Sequence, residues 1–480
     1  MKQNILLIGF GYHCRRIYYP ILSEMKKYNI IIIDKKDQEE NILNFLAKKN
    51  LKPREIILIE NFSEKNDDLP EELVQELDKI IQKFKIKGII ISTDPLYHKH
   101  YAKWALKRNL SILMDKPISV HKNMSTIVDE SKKLNEDFKL LNKLYNKRKK
   151  SILFSIVSQR RFHKGFQKVR ELIKEVFEET NCPITSIGIN HSDGQWRFPT
   201  EIIDIDYHSF NHGFGKCSHS GYHFFDIINF FFEVITDKEK KPNNVDIYSN
   251  FLRPLDFLEQ INFKDYNSIF KDFKKYNKYS KDECFNKMKN FGEIDAFLNF
   301  SFKHNNNQIT LGSINLIHNS FSQRGKIIPN KDFYKGNGRV RHETYTIQQG
   351  PFQCIQIISF QSKEVKKKDK LDYSPGGEYH FDIMVFRNNT LFKKWKSYKK
   401  ISLKDLQKGR MSGYSRGHQE DARRLATLEF LEFLDGKKKK DYISDFTKHC
   451  DTVRLMAGVY KSAALKFNNK NPLVNIPYGN

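Results

Sequence analysis

Short apolar runs alternate with amphipathic stretches over the first third of the chain. The runs NILLIG, YNIIIID, REIILIE, IKGIIIST and SILMDKP read as strands buried on both faces. Between them, LPEELVQELDKIIQKF puts Leu73, Leu77, Ile80, Ile81 and Phe84 on one side of a 3.6-residue period. Strand, crossover helix, strand is the rhythm of a doubly wound parallel sheet, expected here over residues 1–148. A sixth apolar run, SILFSIV, follows the charged stretch near 140–150, where a second domain is expected to begin.

Beyond residue 184 the pattern lengthens into segments of alternating polarity: ITSIGINHS, EIDAFLNFSFKH, QITLGSINLIH, TYTIQQGPFQCIQIISFQS and YHFDIMVFR. A period of two marks strands with one covered and one open face. Residues 149–480 are therefore expected to form an α+β domain built on an open, mostly antiparallel sheet with helices on one face. The aromatic, lysine-rich stretch near 252–290 reads as a helical insertion between core elements. The segment from Glu420 to Phe467, with LATLEFLEFL and DTVRLMAGVYKSAALKF, reads as helical.

A length of 480 residues suits two or three domains, each with its own core. The formal charge of +26 raises the question of a polyanionic partner. Lysine, however, accompanies Ile, Asn, Phe and Tyr along the whole chain, and the basic residues form no single stripe. No nucleic-acid partner is expected. The cysteines at 14, 182, 217, 284, 354 and 450 are scattered without a CxxC, which suits a reducing, cytoplasmic setting. ILLIGF is too short for a signal-peptide core, and FFDIINFFFEVI carries Asp226, Asn229 and Glu233, so neither export nor membrane insertion is expected.

The first strand runs into GFGYHC, where Gly9 and Gly11 hold the first two glycine positions of a dinucleotide fingerprint and Cys14 the third. Gly9 permits a tight turn, and Gly11 lets backbone approach a pyrophosphate that the following helix N-terminus stabilises. Gly9, Phe10, Gly11, Tyr12, His13 and Cys14 are thus a candidate phosphate loop, and residues 1–148 a candidate Rossmann dinucleotide-binding domain. The second strand ends in Asp34, whose carboxylate can accept hydrogen bonds from ribose hydroxyls and would repel a 2′-phosphate. NAD is favoured over NADP, with Lys35 and Lys36 as the residues that would meet a 2′-phosphate.

The segment STDPLYHKHYAKWALKRNLSILMDKPIS, residues 92–119, resembles the Gfo/Idh/MocA family of nicotinamide-dependent oxidoreductases. It carries Thr93, Asp94, Pro95 and His98, then Asp115, Lys116 and Pro117 where the family has E-K-P. The resemblance continues at SQRRFHKGFQKVRELI, at GYHFFDIINFF as the family's G-x-H-x-x-D, and at CDTVRLMAGVYKSA. It implies a cofactor site at 9–14, 34, 93–95, 98 and 115–116, and a homo-oligomer, dimer or tetramer. It also implies hydride transfer between nicotinamide and a secondary alcohol or ketone of a sugar, nucleotide-linked sugar or cyclitol. An imine or other unsaturated-bond reductase on the same fold, and a cofactor-binding regulatory protein without turnover, are the alternatives.

In that comparison Lys116 would stabilise charge on the substrate oxygen and His223 would act as general base. His219 stands four residues earlier, where many members carry an aspartate, and would share the proton relay or shape the pocket. Arg161, His163, Trp196 and Arg197 are further candidate substrate residues. His208, His212, His219, His223 and Cys217 lie within twenty positions at spacings that zinc sites use, but Gly213, Gly215 and Gly221 oppose one helix carrying all of them. The resemblance points to a metal-independent site.

Overall fold

The structure, a computed structural model, describes residues 2–194, 197–205, 208–322, 339–363, 371–413 and 417–479. The isoleucine-rich runs form β1 (Gln3–Ile8), β2 (Tyr28–Lys35), β3 (Glu55–Ile59), β4 (Gly88–Ile91), β5 (Ser111–Met114) and β6 (Phe154–Ile156). They pair in parallel in the order β3-β2-β1-β4-β5-β6. Helices cover both faces, which is why these strands need no polar face: Leu6 and Ile8 pack toward helices Glu71–Phe84 and His98–Lys107, while Ile5 and Leu7 pack toward Tyr18–Met25. The helix His418–Leu434 returns from far along the chain to cover this second face with Ala422, Ala426, Phe430 and Leu431.

The second sheet contains β7 (Ser186–Ser192), β8 (Asn244–Leu252), β9 (Asp295–His304), β10 (Asn307–Ile317) and β11 (Arg339–Gln349). It is completed by β12 (Gln353–Lys363), β13 (Asp382–Arg387), β14 (Tyr398–Ser402) and β15 (Val474–Pro477), in the order β14-β13-β12-β11-β7-β10-β9-β8-β15. All pairs are antiparallel except β7 with β10. The long segment TYTIQQGPFQCIQIISFQS is a hairpin, turning at Gly350, so it supplies most of two neighbouring strands. One face is buried under helices Lys164–Thr180, Tyr222–Phe232 and Cys450–Phe467.

The insertion forms the helices Pro254–Gln260, Phe263–Ile269, Phe273–Tyr276 and Lys281–Met288 between β8 and β9. It has an aromatic core of its own, in which the Tyr266 and Phe273 rings stack at 4.9 Å. This core also takes in Phe198, Ile202 and Phe210, and Lys278 and Tyr279 both bond Asp204 at 2.6 Å. The insertion therefore braces the segment that carries Arg197 and His208. No helix among the described residues is long and apolar enough to cross a membrane.

Candidate active site

A cavity of about 740 Å³ is lined by residues of both domains. At the end of β1 the chain turns at Gly9, with φ +85°, where an added Cβ would lie 2.6 Å from the Ser92 carbonyl oxygen. Gly11 differs: a Cβ there would meet no protein atom within 4 Å. Its smallness is not demanded by the protein's own packing, but a cavity wall that starts a helix must be bare for a pyrophosphate to approach its N–H groups. The loop therefore fits a dinucleotide.

Asp34 lies in the same wall and accepts the Phe10 N–H at 2.7 Å and the Lys35 N–H at 2.8 Å. Burial pushes its carboxyl up from the usual value, against the pull of these two bonds. Lys36 is paired with Glu60, and the Lys35 ammonium sits 5.4 Å above the Tyr97 ring. Tyr12, His13, Thr93, Asp94, Pro95 and His98 border the cavity as well. Phe10 and Cys14 turn the other way. The Phe10 ring packs on Tyr19 and Phe45, Cys14 is fully buried, and these two bring only backbone to the loop.

Asp115 and Lys116 follow the end of β5, the edge where ligands of parallel sheets bind. Asp115 accepts hydrogen bonds from the hydroxyls of Tyr18 and Ser92, the latter at 2.7 Å, and lies 3.5 Å from His13 Nε2. Lys116 Nζ donates to the carbonyl oxygen of His219 and so bridges the two domains. Burial first, and the charge of Arg423 second, push Lys116 down to about 7, with Asp115 opposing.

His219 lies in the π-helical turn Cys217–Gly221, which runs directly into the helix Tyr222–Phe232 that carries His223. Such turns widen a helix and recur at functional sites. His223 borders the cavity at 5% exposure, with Nδ1 shielded from solvent and without a hydrogen-bond partner. Burial, then Lys116 and Arg160, hold it well below the ordinary histidine value, so the ring is neutral. His219 stacks on His208 at 4.7 Å, and both border the cavity with His212. Cys217 instead points into the core. Among the described residues no three His, Cys, Asp or Glu side chains are arranged to hold a metal ion.

Two candidate substrate residues lie elsewhere. Arg161 is fully buried, forks onto Asp226 at 2.8 and 3.0 Å and reaches Glu233 at 2.6 Å. Burial would raise Asp226, but Arg161 and His449 hold it well below the usual carboxylate range. His163 accepts the Gly165 N–H on Nδ1 and meets His418 Nδ1 at 2.7 Å. Neither borders the cavity; their neighbours Gln159 and Arg160 do. Arg197 does border it and donates to His318 Nε2 at 3.1 Å, whereas Trp196 lies outside the described residues.

Sequence reasoning missed the far wall. Asp193, just past β7, pairs with Lys216 and with Arg339 at 3.0 Å, and has His191 at 3.5 Å and His318 at 3.6 Å. Burial alone would raise Asp193; Lys216 and His191 hold it well below the carboxylate range. Arg341, Gln419 and Arg423 complete this side. The alternation in β7 announced a strand, but no spacing links its end to β11 or to the helix at 418.

No protein-family model matches the chain, and no curated protein sequence does. Solved structures do share the fold. An oxidoreductase from Agrobacterium radiobacter in complex with NAD+, L-tartaric acid and magnesium is 12% identical, with a TM-score of 0.56 over 99% of this chain and 98% of that one. Levoglucosan dehydrogenase, in complex with NADH and levoglucosan, is 12% identical with a TM-score of 0.56 over all of both chains. The WlbA dehydrogenase from Bordetella pertussis, in complex with NADH and UDP-GlcNAcA, is 12% identical with a TM-score of 0.52 over all of both chains.

Proposed function

We propose that this chain is an NAD-dependent oxidoreductase that moves hydride between nicotinamide and a secondary alcohol or ketone of a sugar, nucleotide-linked sugar or cyclitol. The observation that carries the reading is the meeting of Lys116 and His223, from different domains, in the cavity that also holds Gly11 and Asp34. The NAD and NADH complexes of the fold's solved relatives support it. Asp34 supports NAD over NADP, since Lys36 is already engaged by Glu60. The exposed Phe297, Leu311, Ile358 and Phe386 on the open face of the second sheet support a homo-oligomer.

Bound NAD supplies the hydride acceptor. Lys116, pushed down to about 7, is matched to working pH and in its neutral form takes the hydroxyl proton of the substrate on Nζ. His223, held neutral and bordering the cavity, fixes the same oxygen through its ring. This reverses the expectation that His223 is the base: its burial beside three cations disfavours the imidazolium that a base would become. In the reducing direction the Lys116 ammonium returns the proton. His219 holds Lys116 in position through its backbone carbonyl and lines the pocket with its ring.

A screen of sugars, nucleotide-linked sugars and cyclitols for NADH formation tests the reading. NADH formed with at least one compound by the wild type, and not by Lys116→Met, is expected. Absence of NADH with every compound, under conditions where NAD binds, would refute it.

A further inference from the structure

The wall contributed by the second domain is strongly unbalanced in charge. Among the described residues Asp193 is its one carboxylate, against Arg160, Arg197, Lys216, Arg339, Arg341 and Arg423. Asp193 is committed to Lys216 and Arg339. Arg160 is committed to Glu343, which it meets at 2.8 and 3.1 Å. Arg341 differs from these: among the described residues no carboxylate lies within ion-pair distance of it. Its Nη1 donates to Gln419 Oε1 at 2.8 Å and reaches Gln361 Oε1 at 3.5 Å, both neutral amides, and its solvent-shielded Nε has no partner.

Arg341 is partly exposed and borders the cavity. It sits two residues before the buried Glu343 on β11, on the face that strand alternation turns to the cavity side. A guanidinium partly withdrawn from water is ordinarily held on a carboxylate, which offsets the cost of desolvation. Burial and the neighbouring Arg339 push it down to about 10, with Asp193 and Glu343 opposing from beyond ion-pair distance. Gln419, itself in the wall, holds the guanidinium in place without neutralising it.

We propose that Arg341, steadied by Gln419, anchors an anionic group of the substrate, so that this site takes a sugar-like alcohol or ketone carrying a carboxylate or a phosphate. The proposal rests on the oxidoreductase reading above and narrows its substrate class. A guanidinium fork suits either anion, because both present paired oxygens.

The test is thermal stability of the NAD-saturated protein with D-glucose, D-glucuronate or D-glucose 6-phosphate at equal ionic strength. A carboxylate-bearing or phosphate-bearing sugar should raise the melting temperature where glucose does not, and the stronger of the two identifies the anion. Arg341→Gln should weaken that anion about 10- to 100-fold, the loss typical of one charge-assisted hydrogen bond, while the NAD increment persists and reports an intact fold. Arg341→Lys, which keeps charge but not the fork, should retain part of the effect and serves if the glutamine variant fails to fold. Glucose matching the anions, no increment from either anion, or an anion increment that survives in Arg341→Gln would each overturn the proposal. So would loss of the NAD increment in a folded Arg341→Gln, since the arginine would then serve the cofactor's phosphates. Anion-dependent stabilisation lost in Arg341→Gln, without NADH formation from any compound, would refute the oxidoreductase reading and leave the anion site standing.

Discussion

Replacing Lys116 by methionine is expected to inactivate the protein and to stabilise it, and the two effects have one cause. The methionine keeps the length of the side chain and removes the charge. Burial and Arg423 push Lys116 from 10.5 to about 7; at about 1.4 kcal/mol per pKa unit, withholding its proton amounts to about 5 kcal/mol. Between 7 and 10.5 the unfolded chain binds a proton that the native protein does not, so stability rises with pH through this window. The full penalty applies below 7 and has fallen to about 2 kcal/mol at pH 9. These figures are upper bounds, because Nζ faces the cavity. Losing the bond to the His219 carbonyl is a nearly constant opposing term. The difference between the two pH values is therefore the cleaner quantity. Urea unfolding of cofactor-free protein at pH 6 and pH 9 should give Lys116→Met an advantage that is larger at pH 6 by up to about 3 kcal/mol. An advantage that does not change with pH would mean that Lys116 is an ordinary ammonium, and the proton-acceptor role would fall with it.

In the wild type, the rate of alcohol oxidation should rise with pH through about 7 as Lys116 loses its proton. His223→Ala should lower turnover about 100-fold by removing a group that fixes the reacting oxygen, while that rise persists; a rise that vanishes with His223 would return the base role to the histidine. NAD should raise the melting temperature more than NADP, and Asp34→Ala should erase the difference; equal shifts in the wild type would remove Asp34 from ribose recognition. Arg161→Met should cost about 3–5 kcal/mol in urea unfolding, because it strands the Asp226 carboxylate at 0% exposure; a cost under about 1 kcal/mol would mean that Ser158, Thr452 and His449 satisfy Asp226 unaided. Light scattering at micromolar concentration should find an oligomer that Leu311→Glu weakens, and a wild-type monomer would leave the open sheet face without its proposed role.

The amino-acid sequence by itself determined what local chemistry can determine. A doubly buried strand needs apolar residues at every position, so Ile30 to Ile33 and Ile89 to Ile91 announced the parallel sheet without any knowledge of their neighbours. The turn after β1 needs a glycine at φ +85°, and the ends of parallel strands are where ligands bind, so Gly9, Asp34 and Lys116 were legible from their places in the pattern. Side-chain direction was not. Along Gln159–Phe162 each residue is rotated by about 100° from the last, so Gln159 and Arg160 reach the cavity while Arg161 is turned into the protein onto Asp226. His163, one residue further, closes on His418 instead.

Only the tertiary structure decided which charges face the cavity. Asp193, Lys216, Arg341 and Arg423 come from the end of β7, the approach to the π-helical turn, β11 and the helix at 418, separations over which no periodicity carries information. The same holds for protonation. The value of Lys116 depends on its burial between domains and on Arg423, more than 300 residues away in the chain, and the neutrality of His223 depends on the same cations. Residue identity sets the range of chemistry open to a lysine or a histidine, and the charges and water that folding leaves around it select the value within that range.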